Sequence, residues 1–305
     1  MKKAVVLLSS YNGEKYISEQ LESLLLQTWN NLKILIRDDG SCDKTVDILE
    51  KYKKKYPNKI NFVCEKNIGV VKSFFRLIEI SEESDYYFFC DQDDIWEKEK
   101  IEKAIEKIQI LESKSSNENI GYCSNLKLVD SKLNLLGISF KETLNPSLSN
   151  CFFENIITGC TYSCNKNLFL KIKKEIKKID ISKIIMHDYF FYFINTLYGE
   201  LIYDKNSYIL YRQHENNVIG NQKGFLNKNI GRIKKVSAYK NKRYFMFKML
   251  TNVYRNDVEK VFDIGIINKY SNVFYRIKYF FSNKIKRQNF IDTLLIKGMY
   301  LLKLY

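Results

Sequence analysis

Three carboxylates crowd into four residues at Asp91-Gln92-Asp93-Asp94, directly after the apolar run Tyr86-Tyr87-Phe88-Phe89. One acid there could cap a following helix, because a carboxylate accepts the free N–H groups at a helix start. Three acids so close repel one another, and a bound cation offsets that repulsion. Hard carboxylate oxygens suit Mg2+ or Mn2+, an ion that would bridge to the diphosphate of a substrate. A second acidic pair, in Asp38-Asp39-Gly40-Ser41, also follows an apolar run. It reads as a turn with helix-capping residues, or as a carboxylate placed to accept the imide N–H of a uracil or thymine ring. The pair alone does not separate the two.

Such residues must be held by regular elements, and the hydrophobic pattern supplies them. Ala4 to Leu8 is a continuous apolar run that ends in Ser9-Ser10-Tyr11-Asn12-Gly13, as expected of a buried parallel strand. The basic start Met1-Lys2-Lys3 imitates a secretion signal, but the run turns polar at once and lacks a small-residue cleavage site, so a first strand is expected. Asn12 is placed to cap a helix carrying Tyr16, Ile17, Leu21, Leu24 and Leu25. Further strands are expected over 32–36, 60–64 and 85–90. Helices are expected after Asp43 up to about Pro57, over 70–80, and over 97–112 with Ile101, Ile105, Ile108 and Leu111 on one stripe. This alternation is the pattern of a doubly wound α/β sheet, in which ligands bind beyond the carboxyl ends of the strands. The polar clusters Ser9–Asn12, Arg37–Asp39, Glu65–Asn67 and Asp91–Asp94 all fall at that edge, and four patches on one edge make a site. After residue 112 the order is less regular. A strand is expected within 120–130, and Phe152–Ile157 leads into Thr158-Gly159-Cys160. A basic helix is expected near 167–179, and an aromatic segment over 184–198 carries His187-Asp188 near its start. Short strands are expected at 201–203 and 207–211, the second running into Arg212-Gln213-His214.

Composition bounds the rest. Two prolines and twelve glycines exclude a collagen-like or linker-rich chain. No apolar run reaches the roughly 18 residues of a spanning helix. Seven cysteines, an odd number without a Cys-x-x-Cys pair, read as buried free thiols in a reducing cytoplasm. Of the net charge of +15, nearly all lies in residues 225–305, which hold 18 Lys/Arg against 4 Asp/Glu. Lysines and arginines there interleave with Phe274, Tyr275, Ile277, Tyr279, Phe280, Phe290, Ile291, Leu294, Leu295, Met299 and Leu302. Amphipathic helices lying on an anionic membrane face fit this pattern. Helices packed on the rest of the chain with a solvated basic face, or a subunit contact, are the alternatives. No motif supports nucleic-acid binding.

Taken in order, Ser10-Tyr11-Asn12-Gly13, Asp38-Asp39-Gly40-Ser41 with Asp43 and Thr45, Asn67-Ile68-Gly69 and Asp91-Gln92-Asp93-Asp94-Ile95-Trp96 form one series. Thr158-Gly159-Cys160, His187-Asp188 and Arg212-Gln213-His214 with Asn217 and Gly220 continue it. This series resembles family 2 glycosyltransferases of the GT-A fold, in their rhamnosyltransferase-like branch. The resemblance covers roughly residues 3–220 and implies a Rossmann-like, nucleotide-binding mixed α/β sheet flanked by helices over residues 1–224; the charge and apolar pattern make 225–305 a basic amphipathic helical extension. It implies base contacts from Tyr11 and from Asp38 or Asp39, ribose-side contacts from Asn67 and Asp91, and a divalent ion, Mg2+ or Mn2+, on Asp93. Asp188 would be the general base of an inverting single displacement. His214 would join the metal or the diphosphate beside Arg212, whose planar fork suits phosphate oxygens; a structural histidine is the alternative. His187, standing where the wider family has glutamate, is expected to shape the loop of the base. The implied reaction moves a sugar from dTDP-rhamnose or a UDP-hexose to a glycan or lipid-linked acceptor in cell-surface polysaccharide synthesis, in the cytoplasm at the inner membrane face. The Gln-x-x-Arg-Trp pattern of processive synthases is absent, which favours transfer of one or few sugars. A nucleotidyltransferase would need a glycine-rich, basic phosphate loop after the first strand, which is missing. A non-catalytic nucleotide-sugar-binding protein is disfavoured by the joint presence of Asp91, Asp93 and Asp188.

Overall fold

A computed structural model describes residues 2–141, 143–214, 242–268, 272–285 and 287–302. Asn217, Gly220, Lys286 and the expected domain boundary at 224/225 lie outside the described residues.

Four parallel strands form one half of the sheet, in the order β3 (Ile60–Cys64), β2 (Leu32–Asp38), β1 (Ala4–Ser10) and β4 (Tyr86–Cys90). Strand periodicity sends alternate residues to opposite faces, and both faces of β1 are covered. Val5 and Leu7 pack in one core with Phe74 and Leu77 of α3 (Val70–Ile80), Leu148 of α5 (Leu148–Cys151), Leu168 of α6 (Lys166–Glu175) and Phe190 of α7 (His187–Tyr198). Ala4, Val6 and Leu8 pack in the other with Ile17, Leu21 and Leu24 of α1 (Ile17–Leu25) and Ile105 and Ile108 of α4 (Lys100–Glu112). Helix α2 (Thr45–Lys55) ends two residues before Pro57, which cannot continue it. Ser10 pairs with Asp38, so β1 and β2 finish level, while Cys90 pairs with Leu8, so β4 ends two residues short of them at the same edge.

The other half makes the sheet mixed. β8 (Ser163–Asn165) runs antiparallel between β4 and β6 (Ile120–Val129), β6 is parallel to β9 (Glu200–Arg212), and β5 (Ile95–Trp96) is antiparallel to β9. β7 (Leu135–Ile138) adds a hairpin to β6. The doubly wound pattern therefore holds only to β4. Two- and three-residue strands are too short for periodicity to reveal. The separate strands expected at 201–203 and 207–211 are one strand, β9, whose pairing with β6 shifts register around Ser124–Lys127.

Asn12 does not cap α1, whose N-cap position is Tyr16 without a side-chain bond. It adopts φ +47°, accepts the N–H of Cys42 on Oδ1 and donates its own N–H to Ser41. Asparagine tolerates that left-handed backbone, and the first and second strand-end turns are thereby tied together. Toward the C-terminus, residues 242–253 are helical, as are Val273–Phe281 and Phe290–Leu301. Met246, Phe247, Leu250, Tyr254 and Tyr279 are buried in the same core as Phe152 and Phe193, so these helices rest on the α7 face of the sheet. Among the described residues no helix is long and apolar enough to cross a membrane. Five cysteines are buried and free; Cys42 and Cys64 are also free but exposed.

Candidate active site

Two adjoining clefts open over the carboxyl ends of β1, β2 and β4. The inner one, about 410 Å³, is lined by Ser10, Tyr11, Asp39, Asn67, Asp91, Asp93, Gly159, His187 and Asp188, among others. The outer one, about 790 Å³, is lined by Tyr11, Lys15, Tyr16, Gln92, Asp93, Ser131 and His214, among others. Tyr11, Gln92 and Asp93 line both, so they form the shared wall.

The two acids after β2 divide their work. Asp38 is fully buried and accepts the hydroxyls of Ser10 and Ser41 on Oδ1 (2.9 and 2.6 Å) and the Ser41 N–H on Oδ2 (2.8 Å). It does not line either cleft. Asp39 lines the inner cleft, paired with the buried Arg37 at 2.6 Å. It accepts the backbone N–H groups of Ile68 and Gly69 at 2.8 and 2.9 Å. These bonds fix the loop that carries Asn67 to the cleft lip. Gly40 has φ +76°, and a Cβ there would meet the Asn67 nitrogen at 3.0 Å, so this close crossing of turns requires glycine.

At the β1 turn, Gln92 clips the backbone of Tyr11 at two points. Its Oε1 accepts the Tyr11 N–H at 2.8 Å, and its Nε2 donates to the Tyr11 carbonyl at 2.9 Å. The ring of Tyr11, 47 % exposed, is held at the cleft mouth, where an aromatic face can stack on a nucleobase.

The acidic cluster is braced from beneath by Arg212, which is 2 % exposed and lines neither cleft. Its guanidinium donates to the carbonyls of Asp93 and Ser131 (2.9 Å each) and to Glu19 (2.6 Å), while its backbone N–H reaches Asp94 Oδ1 at 3.1 Å. Asp94 is thus a buried anchor for β9 and not a helix cap. Asp93 projects upward, and its Oδ2 lies 2.8 Å from His214 Nε2, whose ring stacks on Tyr16 at 5.1 Å. Lys15, also over the Tyr16 ring, is a cation that does line the outer cleft.

Burial and mutual repulsion shape the protonation of the site. Burial first, then the charges of Asp93 and Asp188, push Asp91 up to about 7. Asp188, in the first turn of α7, is pushed up to about 7 by burial, opposed by hydrogen bonds from the backbone of Tyr189 and from Asn155. Its Oδ1 has no hydrogen-bond partner among the described residues. An unpartnered carboxylate oxygen at the buried end of a cleft, poised near neutrality, can take a proton from a hydroxyl bound against it.

Asp93, on the wall between the clefts, and His214, in the outer cleft, offer an oxygen and a nitrogen donor beside the half-buried Asp91. That donor set fits a Mg2+ or Mn2+ ion, with manganese the better match to an imidazole. Ligand atoms of Asp91, Asp94 and Cys160 also lie within 4.8 Å of one another. There, however, burial and neighbouring acids push the Asp94 carboxyl and the Cys160 thiol up, which disfavours the ionised forms that bind a metal.

Of the residues singled out in the sequence, Tyr11, Asp39, Asn67, Asp91, Asp93, His214 and Asp188 meet at these clefts. Asp38 and Arg212 support them from below. Gln92 and Lys15 were missed. Gln92 lies between acids and carries no charge to mark it, whereas Lys15 is marked by its position just past the Asn12-Gly13 turn at a strand's carboxyl end.

A family model described as "Glycosyl transferase family 2" matches residues 5–123. The chain is 36 % identical over 247 residues to the dTDP-rhamnosyl transferase RfbG of Shigella flexneri, covering 78 % of this chain and 80 % of that protein. Among solved structures it resembles S. aureus TarS 1-349 in complex with UDP-GlcNAc, with a TM-score of 0.54 and 18 % identity over 91 % of this chain and 80 % of that one. It also resembles GalNAc-T7 with UDP, GalNAc and Mn2+, with a TM-score of 0.58 and 12 % identity over 84 % and 55 %. The structural likenesses bear out the expected fold, a mixed α/β sheet of GT-A type flanked by helices.

Proposed function

We propose that this chain, which belongs to glycosyltransferase family 2, is a metal-dependent, inverting enzyme that moves a sugar from a nucleoside diphosphate to a saccharide hydroxyl. The observation that carries the reading is one cleft holding the Asp188 carboxyl, raised to about 7 and with one oxygen unpartnered, at its buried end and the exposed ring of Tyr11 at its mouth, with Asp91 and Asp93 between. Tyr11 and Asp39 hold the base, with Asp38 fixing the turn that presents Asp39, and Asn67 and Asp91 hold the ribose side. Asp93 and His214 would hold a divalent ion, which would supply positive charge to neutralise the departing diphosphate. Arg212 keeps Asp93 in place, and Lys15 adds positive charge at the outer cleft. Asp188 Oδ1 takes the proton of the acceptor hydroxyl as that oxygen forms its bond to the anomeric carbon, opposite the breaking bond to the diphosphate. The acceptor bond forms and the donor bond breaks in one displacement, and the configuration inverts.

The relative RfbG supports dTDP-rhamnose as donor, with a UDP-hexose as the alternative, and a glycan or lipid-linked saccharide of the cell surface as acceptor. The C-terminal helices support contact with an anionic inner membrane face: Phe274, Phe281, Phe290, Ile291, Leu294 and Leu295 are exposed beside Lys278 and Lys284. Incubating the protein with dTDP-rhamnose, UDP-glucose and UDP-N-acetylglucosamine, each with Mg2+ or Mn2+, and measuring release of dTDP or UDP tests the reading. One donor consumed in a metal-dependent way is expected; no nucleotide binding and no release from any of them would sink it.

A further inference from the structure

His187 immediately precedes the proposed base, and its side chain is only 2 % exposed. Neither ring nitrogen has a hydrogen-bond partner among the described residues. A buried polar group left without a partner destabilises a fold, and nearly all such groups in folded proteins are satisfied by protein, water or ligand. The ring is nevertheless held firmly. It stacks on Phe74 of α3 at 3.9 Å and meets Phe191 edge-on at 5.4 Å. Gly159 gives it room, because a Cβ at that position would lie 2.5 Å from Nε2. His187 and Gly159 both line the inner cleft. Two aromatic rings and a glycine therefore orient an imidazole whose hydrogen-bonding capacity the protein does not use.

The order of residues along the cleft identifies what meets it. Tyr11 and Asn67 are exposed at the lip, Asp91 is half-buried, and His187 and Asp188 are buried at the far end. A sugar nucleotide whose base rests at the lip and whose phosphates reach Asp91 and Asp93 sends its sugar to the buried end. We propose that His187 hydrogen-bonds a hydroxyl group of the sugar carried by the donor, and so helps to set which sugar is transferred. This rests on the transferase reading above. Burial lowers the ring to about 3 and keeps it neutral, with one nitrogen donating and the other accepting, which suits a hydroxyl that can do both.

The test compares binding of dTDP-rhamnose with dTDP, and of UDP-N-acetylglucosamine with UDP, by calorimetry with Mn2+ present. The unchanged protein is expected to bind its sugar nucleotide more tightly than the bare diphosphate. His187→Phe keeps the stacking and removes the nitrogens. It should weaken the sugar nucleotide by roughly threefold to tenfold, the worth of a hydrogen bond between neutral groups, and leave the diphosphate unchanged. Thermal unfolding of the free variant should occur at the same temperature or higher, since an unsatisfied buried group is gone. His187→Leu serves in its place should the phenylalanine fail to fold, and His187→Gln should restore part of the discrimination. Equal binding of both ligands by the unchanged protein, or a variant that loses affinity equally for both, overturns the assignment to the sugar. Failure of the unchanged protein to bind either diphosphate or sugar nucleotide overturns the transferase reading itself.

Discussion

Replacing Asp188 by asparagine should raise stability and abolish activity at once, an opposition that separates a working base from a structural acid. In the folded protein burial lifts this carboxyl up to about 7, against about 4 in an unfolded chain. Its folded-state value is raised, so the folded state binds more protons than the unfolded one between those limits. Stability contributed by this group is therefore lost as pH rises from about 4 to about 7. Three pH units correspond to about 4 kcal/mol, present as a cost at pH 8 and absent near pH 4. Asparagine never ionises, and its amide oxygen can still accept hydrogen bonds from Tyr189 and Asn155. At pH 8 without metal or nucleotide, Asp188→Asn should be more stable than the parent by about 2–4 kcal/mol, and the gap should close toward pH 5. Urea unfolding at the two pH values measures this. Transfer should fall by roughly 10²–10⁴-fold, the usual contribution of a general base, while affinity for dTDP or UDP is unchanged. A variant that turns over donor at the parental rate, or that is less stable than the parent at pH 8, would refute the assignment.

Other perturbations probe the supports of the site. Gln92→Ala removes two bonds to Tyr11, so the donor KM should rise by roughly fivefold or more with kcat little changed in steady-state kinetics. Arg212→Lys replaces a fork that reaches Asp93, Ser131 and Glu19 with a single ammonium; urea unfolding should show a loss of about 2–4 kcal/mol, and Mn2+ should be needed at higher concentration. The turnover rate should climb with pH and level off above about 7 as Asp188 loses its proton; a rate that falls across that range would contradict its role. Phe274→Glu with Phe281→Glu, at positions 78 % and 79 % exposed, should leave the fold intact and reduce sedimentation with phosphatidylserine vesicles. Unchanged sedimentation would argue for a subunit contact on that face instead.

The first half was legible because its central strands, β1 and β4, are buried on both faces. Continuous runs such as Ala4–Leu8 and Tyr86–Cys90 leave little choice of element, and the residues after each run must lie at one edge. Asp91, Asp93 and Asn67 could be placed together on that ground alone. The second half was harder, for particular physical reasons. β8 is three residues of Ser163, Cys164 and Asn165, held by pairing to β4 and β6 and not by any hydrophobic pattern of its own. Asn12 reads as a helix cap by type, yet its left-handed backbone ties two turns, a long-range bond no local pattern announces. Arg212 looked suited to phosphate; that its fork is filled by two carbonyls and Glu19 depends on tertiary packing across almost two hundred residues. The empty hydrogen-bonding capacity of His187 is invisible in sequence, since it follows from what Phe74 and Gly159 place around the ring.

The anomeric configuration of the product tests the central claim most directly. With a single base at Asp188 and displacement from the face opposite the diphosphate, each transfer should invert the donor's configuration, as read by the one-bond carbon–hydrogen coupling at the anomeric centre of the product. A product that retains the donor's configuration would contradict the single displacement and the role given to Asp188.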